Sequence, residues 1–280
     1  MRKSFLTFRQ VFKLNLIFAS LIVMVLSRSS VAAEIHLFNI DPNGRSVPVS
    51  NYDEIVGNLK KHDVLIFTNG FRVTIDSQLK AGSQTKVFSI LENSNEVLRL
   101  PLSTEKVEST EQFVLGNQIL AQHRVRVPHI NSFKTPEYAV VQKIKHFVTF
   151  HDFISNFNSY AYEIKNEAIT AMDRFVLSTA ELAIVADLHS ENLVYDFSKK
   201  EWLVLDSDAT VIPVNFAEDL RWSRNVLSDL DVYEMPKDVY SSYQELMNRW
   251  SSLITERRQQ IRKNRLKASR VSCEILFSFP

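Results

Sequence analysis

The stretch Asp187-Leu-His-Ser-Glu-Asn192 is followed by two short β-like segments, Asn192–Tyr195 and Trp202–Leu205. The polar turn Asp196-Phe-Ser-Lys-Lys200 joins them, and this pattern reads as a hairpin. Asn192 stands five residues after Asp187, and Asp206 follows Asn192 by 14, at the end of the apolar run Leu203-Val-Leu205. Asp and Asn are also common turn formers, so spacing alone allows a plain loop and hairpin. The order of the surrounding elements decides between the two.

Upstream, Phe71, Val73 and Ile75 alternate with polar residues, as a half-buried strand requires. Lys86–Leu91 and Glu96–Leu100 read as the next two strands, with Glu92-Asn-Ser-Asn95 turning between them. Ser109–Gln122 has helical character and offers Phe113, Val114, Ile119 and Leu120 as a buried stripe. Tyr138–Ile144 is a further strand, so 71–144 reads β-β-β-α-β. Helices dominate beyond it: Phe150–Phe157, Tyr162–Ala180 and Asp238–Ala268. Before Phe71, Pro42-Asn-Gly44 marks a turn. Asp53–Leu59 suits a short helix and Val64–Thr68 a short strand.

Together these features resemble the protein kinases and their aminoglycoside and choline phosphotransferase relatives. Asp-Leu-His-x-x-Asn is the form common in the small-molecule and atypical branches, and His189 stands where typical protein kinases carry lysine. The resemblance covers roughly residues 71–235. It implies an α+β, two-lobed fold with a small β-rich N-lobe (71–146) and a mainly helical C-lobe (147–280). Residues 34–70 then form an N-terminal extension packed on that fold.

The resemblance also implies a chemistry. Phosphoryl transfer from ATP needs a carboxylate near the acceptor hydroxyl, oxygen ligands for Mg²⁺, and cations on the phosphates. Asp187 takes the first role. Asn192 and Asp206 take the second, with Asp208 either a further metal ligand or a turn residue. Ala81-Gly-Ser-Gln-Thr-Lys-Val87 stands for the phosphate-covering loop, placing Gly82 and Ser83 by the nucleotide; Gly82 also fits an ordinary hairpin. Arg99, in Val97-Leu-Arg-Leu100, replaces the lysine that grips phosphate, and guanidinium is not a neutral exchange for ammonium. Alternatively it is a surface arginine on an edge strand. Its glutamate partner is Glu111 or Glu108. Gln142–His146, including Ile144, is the hinge against which adenine stacks. Asp219 resembles the residue that pins the catalytic loop from a later helix.

Several positions depart from the family pattern. Val185-Ala186 replaces the usual His-Arg pair, Ser207-Asp208 follows Asp206, and only one glycine marks the phosphate loop. They favour a compact, atypical kinase using ATP and Mg²⁺ on a protein or, second, a small-molecule hydroxyl. The alternative is a pseudokinase that serves as a binding module.

Composition sets the outer limits. With 280 residues, 45% hydrophobic and 23% charged, the chain suits a folded monomer. Its net charge of +1 gives no reason to expect nucleic acid as a partner. One cysteine, Cys273, excludes an internal disulfide. Residues 1–33 read as a signal peptide: Arg2, Lys3, Arg9 and Lys13, then the apolar run Leu14–Leu26, then small residues up to Ala33. That implies a secreted or periplasmic protein, delivered to a host or target cell where ATP exists. Membrane contact is expected only through that segment or through the basic helix ending near Lys267.

Overall fold

The computed structural model describes residues 34–82, 84–185, 187–206, 209–216 and 224–277. The signal segment, Ser83, Ala186, Asp208 and Asp219 lie outside the described residues.

The N-terminal part is a seven-stranded sheet in the order β1-β4-β5-β6-β7-β9-β8. Its strands are β1 (Glu34–His36), β4 (Val64–Ile66), β5 (Arg72–Ala81), β6 (Thr85–Ile90), β7 (Glu96–Pro101), β8 (Ile130–Lys134) and β9 (Tyr138–Gln142). Only β1 and β4 pair in parallel; the other neighbours are antiparallel. Residues 34–70 are therefore built into the sheet as well as packed on it. Their short hairpin β2 (Phe38–Ile40) and β3 (Ser46–Pro48) and the helix α1 (Tyr52–Asn58) carry Phe38, Tyr52 and Val56 onto one face. Phe88, Leu98, Leu100 and Val140 meet them there. Glu137, fully buried in the β8–β9 turn, ties this region down by accepting hydrogen bonds from Ser46 Oγ (2.6 Å), Thr68 N (2.9 Å) and Lys134 Nζ (3.1 Å). Burial pushes its carboxyl up, but these hydrogen bonds outweigh it and hold the group below the ordinary glutamate range.

The other face follows from strand periodicity, since side chains alternate across the sheet. On β7, Leu98 and Leu100 go to the first core, which sends Val97 and Arg99 to the opposite face. There the helix α2 (Ser109–Gln122) packs with Phe113 and Val114 against Val97, Ala139 and Val141.

The C-terminal part holds α3 (Phe150–Ser155), α4 (Tyr162–Ser178) and the long α5 (Tyr240–Phe277). Ala168, Ala171, Met172, Phe175 and Val176 recur at helical spacing on α4 and are buried. They share a core with Trp202 and Trp250. Small strand pairs dock on these helices. β10 (Phe147–Thr149), β12 (Leu193–Asp196) and β13 (Glu201–Val204) form one sheet, and β11 (Leu182–Val185) pairs with β14 (Val211–Pro213). Trp202 Nε1 donates to Ala168 O at 2.8 Å, which fixes the hairpin on α4. On α5, Leu246, Trp250, Ile254 and Arg258 lie buried at four-residue intervals. Arg258 donates to Ala180 O (2.7 Å), Leu182 O (2.8 Å) and Arg224 O (2.6 Å), stapling both ends of the turn into β11. Burial lowers its pKa to about 10, so it remains charged at neutral pH. Among the described residues, no helix is long and apolar enough to cross a membrane.

Candidate active site

β11 delivers the chain to Asp187, which is exposed and has a backbone φ of +58°. This left-handed conformation is costly for most residues, and Asp and Asn bear it best. The loop then folds on itself. Leu188 and Ser190 are buried, and His151 N, in the first turn of α3, donates to Ser190 O at 3.2 Å. His189 is exposed, and its Nδ1 accepts from Glu191 N at 3.2 Å, which is a loop-packing arrangement. Asn192 closes the loop. Its amide Nδ2 donates to Asp187 O (2.8 Å) and to Asp187 Oδ2 (3.3 Å). Asn192 O accepts from Leu205 N at 2.8 Å across the β12–β13 hairpin. The five-residue spacing thus locks Asn192 onto Asp187, and the hairpin brings Asp206 beside Asn192.

Arg99 reaches this point from the sheet. It is 9% exposed and lies between Val87 and Ala139 in the strand register. Its Nη2 meets both oxygens of Asp206 at 2.8 Å and donates to Thr85 Oγ1 at 3.2 Å. Its guanidinium carbon sits 4.0 Å from the centre of the Phe113 ring. Its buried Nε has no hydrogen-bond partner among the described residues. Among the described residues no glutamate pairs with Arg99. Glu108 and Glu111 are both exposed, while Phe113 on α2 lies against the Arg99 guanidinium. The helical period explains this, because Glu111 falls outside the stripe that α2 buries at Phe113, Val114, Asn117 and Leu120.

These residues surround a cleft of about 770 Å³, within the range of small-molecule sites. Gly82, Arg99, Gln142, Ile144, Asn192 and Asp206 all line it. Its apolar walls, which include Leu79, Val87, Val97, Val141, Phe147 and Leu205, suit a flat aromatic ring. A smaller cavity of about 130 Å³ adjoins Arg99 and Asp206 and is lined by Gln84, Thr85, Ser109, Gln112, Phe113 and Asp187. Gly82 turns the β5–β6 hairpin, with its N–H donating to Thr85 O at 2.8 Å. A Cβ at Gly82 would meet only Thr85 O at 3.6 Å, so no close approach requires glycine there. Phe113, Leu79, Val141, Phe147 and Leu205 were not read as site residues. They carry no chemical signature, and the packing of α2, the sheet and the hairpin brings them together.

For a divalent cation, the described residues offer the amide oxygen of Asn192 and the carboxylate of Asp206, both lining one cleft. Two hard oxygens, completed by water and phosphate, fit the way Mg²⁺ binds. No cluster of three or more His, Cys, Asp or Glu that could hold a metal occurs among the described residues. The fit therefore depends on the amide.

Sheet, α2, crossing segment, helices, the Asp187–Asn192 loop and the hairpin follow one another in a mixed α+β fold with a β-rich N-terminal part and a mainly helical C-terminal part. No family model and no curated protein matches the chain. Among solved structures, it is similar to APH(2'')-IIa in a ternary complex with streptomycin and ATP, at 12% identity and TM-score 0.32, covering 49% of this chain and 40% of that one. It is similar to the ADP-bound aminoglycoside phosphotransferase APH(2'')-Ib at 14% identity and TM-score 0.32, covering 54% and 46%. It is similar to vaccinia related kinase 3 at 12% identity and TM-score 0.33, covering 53% and 51%. The chain spans about half, or less, of each of these structures.

Proposed function

We propose that the chain is a phosphotransferase that moves the terminal phosphoryl group of ATP to a hydroxyl acceptor. One observation carries this reading. Arg99, Asp187, Asn192 and Asp206, from the sheet, the loop and the end of the hairpin, converge where a 770 Å³ apolar cleft meets a polar cavity. Adenine fits between the strand valines and Leu205, against the segment Gln142–Ile144. Arg99 then faces the phosphates, and Asn192 and Asp206 would hold Mg²⁺, which would neutralise phosphate charge.

Asp187 accepts a hydrogen bond from the acceptor hydroxyl and orients its oxygen. That oxygen forms a bond to the γ-phosphorus as the bond to the β–γ bridging oxygen breaks. ADP leaves, and the hydroxyl proton passes to Asp187 and on to solvent. In the structure Arg99 and Asp206 neutralise each other. Nucleotide binding must exchange that pair, turning Arg99 to phosphate and freeing the Asp206 carboxylate.

The pairing also favours a second reading, a pseudokinase, in which Arg99 keeps Asp206 covered permanently. Transfer from γ-radiolabelled ATP separates the two. Asp187→Asn keeps the left-handed backbone tolerable and should lower transfer by about 10²-fold or more, with ATP affinity unchanged. Absence of transfer by the wild type, with nucleotide still bound, would leave the binding-module reading.

Export through residues 1–33 and delivery to a compartment that contains ATP complete the proposal. Fractionation of expressing cells checks it, since a full-length chain retained in the cytoplasm contradicts export.

A further inference from the structure

We infer that Phe113 is a positioning residue for the proposed nucleotide site, holding Arg99 by a cation–π contact where a helix carboxylate would otherwise stand. The inference rests on the phosphotransferase reading. The guanidinium carbon lies 4.0 Å from the ring centre, and Phe113 is 2% exposed, so the contact is shielded from water. Such contacts strengthen when desolvated.

The cavity-facing residues of α2 are Ser109, Gln112 and Phe113. They occur at i, i+3 and i+4, one face of the helix, and none bears a charge. A glutamate here would neutralise Arg99 and compete with phosphate for it. A ring fixes the guanidinium plane and leaves its charge intact. The only carboxylate hydrogen-bonded to Arg99 among the described residues is Asp206, which the proposed metal would engage. Arg99 also keeps a buried Nε with no partner among the described residues. The consequence is that Phe113 sets affinity for the phosphates of the nucleotide and not for its base.

Calorimetric titration of the whole chain with ATP plus Mg²⁺, and separately with adenosine, tests this. Phe113→Leu keeps apolar volume without a ring and should weaken ATP–Mg²⁺ binding about tenfold. Adenosine affinity should stay within about twofold, because adenosine presents nothing to Arg99. Phe113→Tyr, which restores the ring, should recover ATP binding to within about twofold of wild type. Should Phe113→Leu fail to fold, Phe113→Met takes its place. Equal loss of ATP and adenosine, unchanged ATP binding by the Leu variant, or a Tyr variant as weak as Leu each overturns the inference. A wild type that binds adenosine and ATP–Mg²⁺ with equal affinity overturns it too. A wild type that binds neither overturns the phosphotransferase reading, and this inference with it.

Discussion

Replacing Arg258 with methionine probes how the long C-terminal helix holds the turn into β11, the strand that leads to Asp187. Arg258 is 2% exposed and, among the described residues, donates to the backbone carbonyls of Ala180, Leu182 and Arg224. Hydrogen bonds from a charged group contribute roughly 2 kcal/mol each, so the three together supply about 6 kcal/mol. Burial acts against this, lowering the pKa to about 10. Taking the guanidinium out of water costs roughly 3 kcal/mol. Arg258→Met keeps most of the stem packing and should therefore destabilise the protein by about 3 kcal/mol. For a chain of this size the loss corresponds to a melting temperature lower by about 6–12 °C. Urea denaturation of both proteins at neutral pH measures it. Arg249→Met is the control. Arg249 is 55% exposed beside Asp173, and its loss should cost less than about 1 kcal/mol. An Arg258→Met variant no less stable than Arg249→Met would refute the idea that α5 staples β11.

Three further outcomes are expected. Arg99→Met should abolish detectable ATP binding, while Arg99→Lys, which keeps the charge but not the planar fork, should weaken it by about tenfold; calorimetry distinguishes the two. Trp202→Phe removes the indole hydrogen bond to Ala168 O and should cost about 1–2 kcal/mol of stability, read from urea midpoints. For Glu137 the sign runs with acid. Its pKa in the folded chain lies below the ordinary value, so its contribution is full above the ordinary carboxylate range and is lost as pH falls through the folded value. Urea midpoints measured from about pH 6 down to about pH 3 should fall less steeply for Glu137→Gln than for wild type.

Much of this fold was legible because it rests on local pattern. The helix expected at Ser109–Gln122 spans those residues, and the strands around Phe88 and Leu98 follow their alternation or apolar runs. What escaped depends on distant partners. β8 lies between Pro128 and Pro136 with an interrupted alternation and gains its identity only by pairing with β9. β11 and β14 are four and three residues long and exist through each other. β9 stops at Gln142, two residues short of the expected Ile144, where the chain leaves the ladder.

The site divides in the same way. Asp187, Asn192 and Asp206 are linked by a short loop and a hairpin, so their spacing in sequence carries their proximity in space. The partner of Arg99 does not follow from spacing. The motif points to a glutamate on α2, but helical phase turns Glu111 outward and presents Phe113. The strand register then aims Arg99 at Asp206, 107 residues away.

The central claim is that ATP and Mg²⁺ occupy this cleft by opening the Arg99–Asp206 pair. A crystal structure with a non-hydrolysable ATP analogue and Mg²⁺ tests it most directly. The expected result is adenine beside Ile144 and Leu205, phosphate on Arg99, and a metal held by Asn192 and Asp206. An analogue bound elsewhere, or a cleft in which Arg99 and Asp206 remain paired in saturating nucleotide, would contradict it.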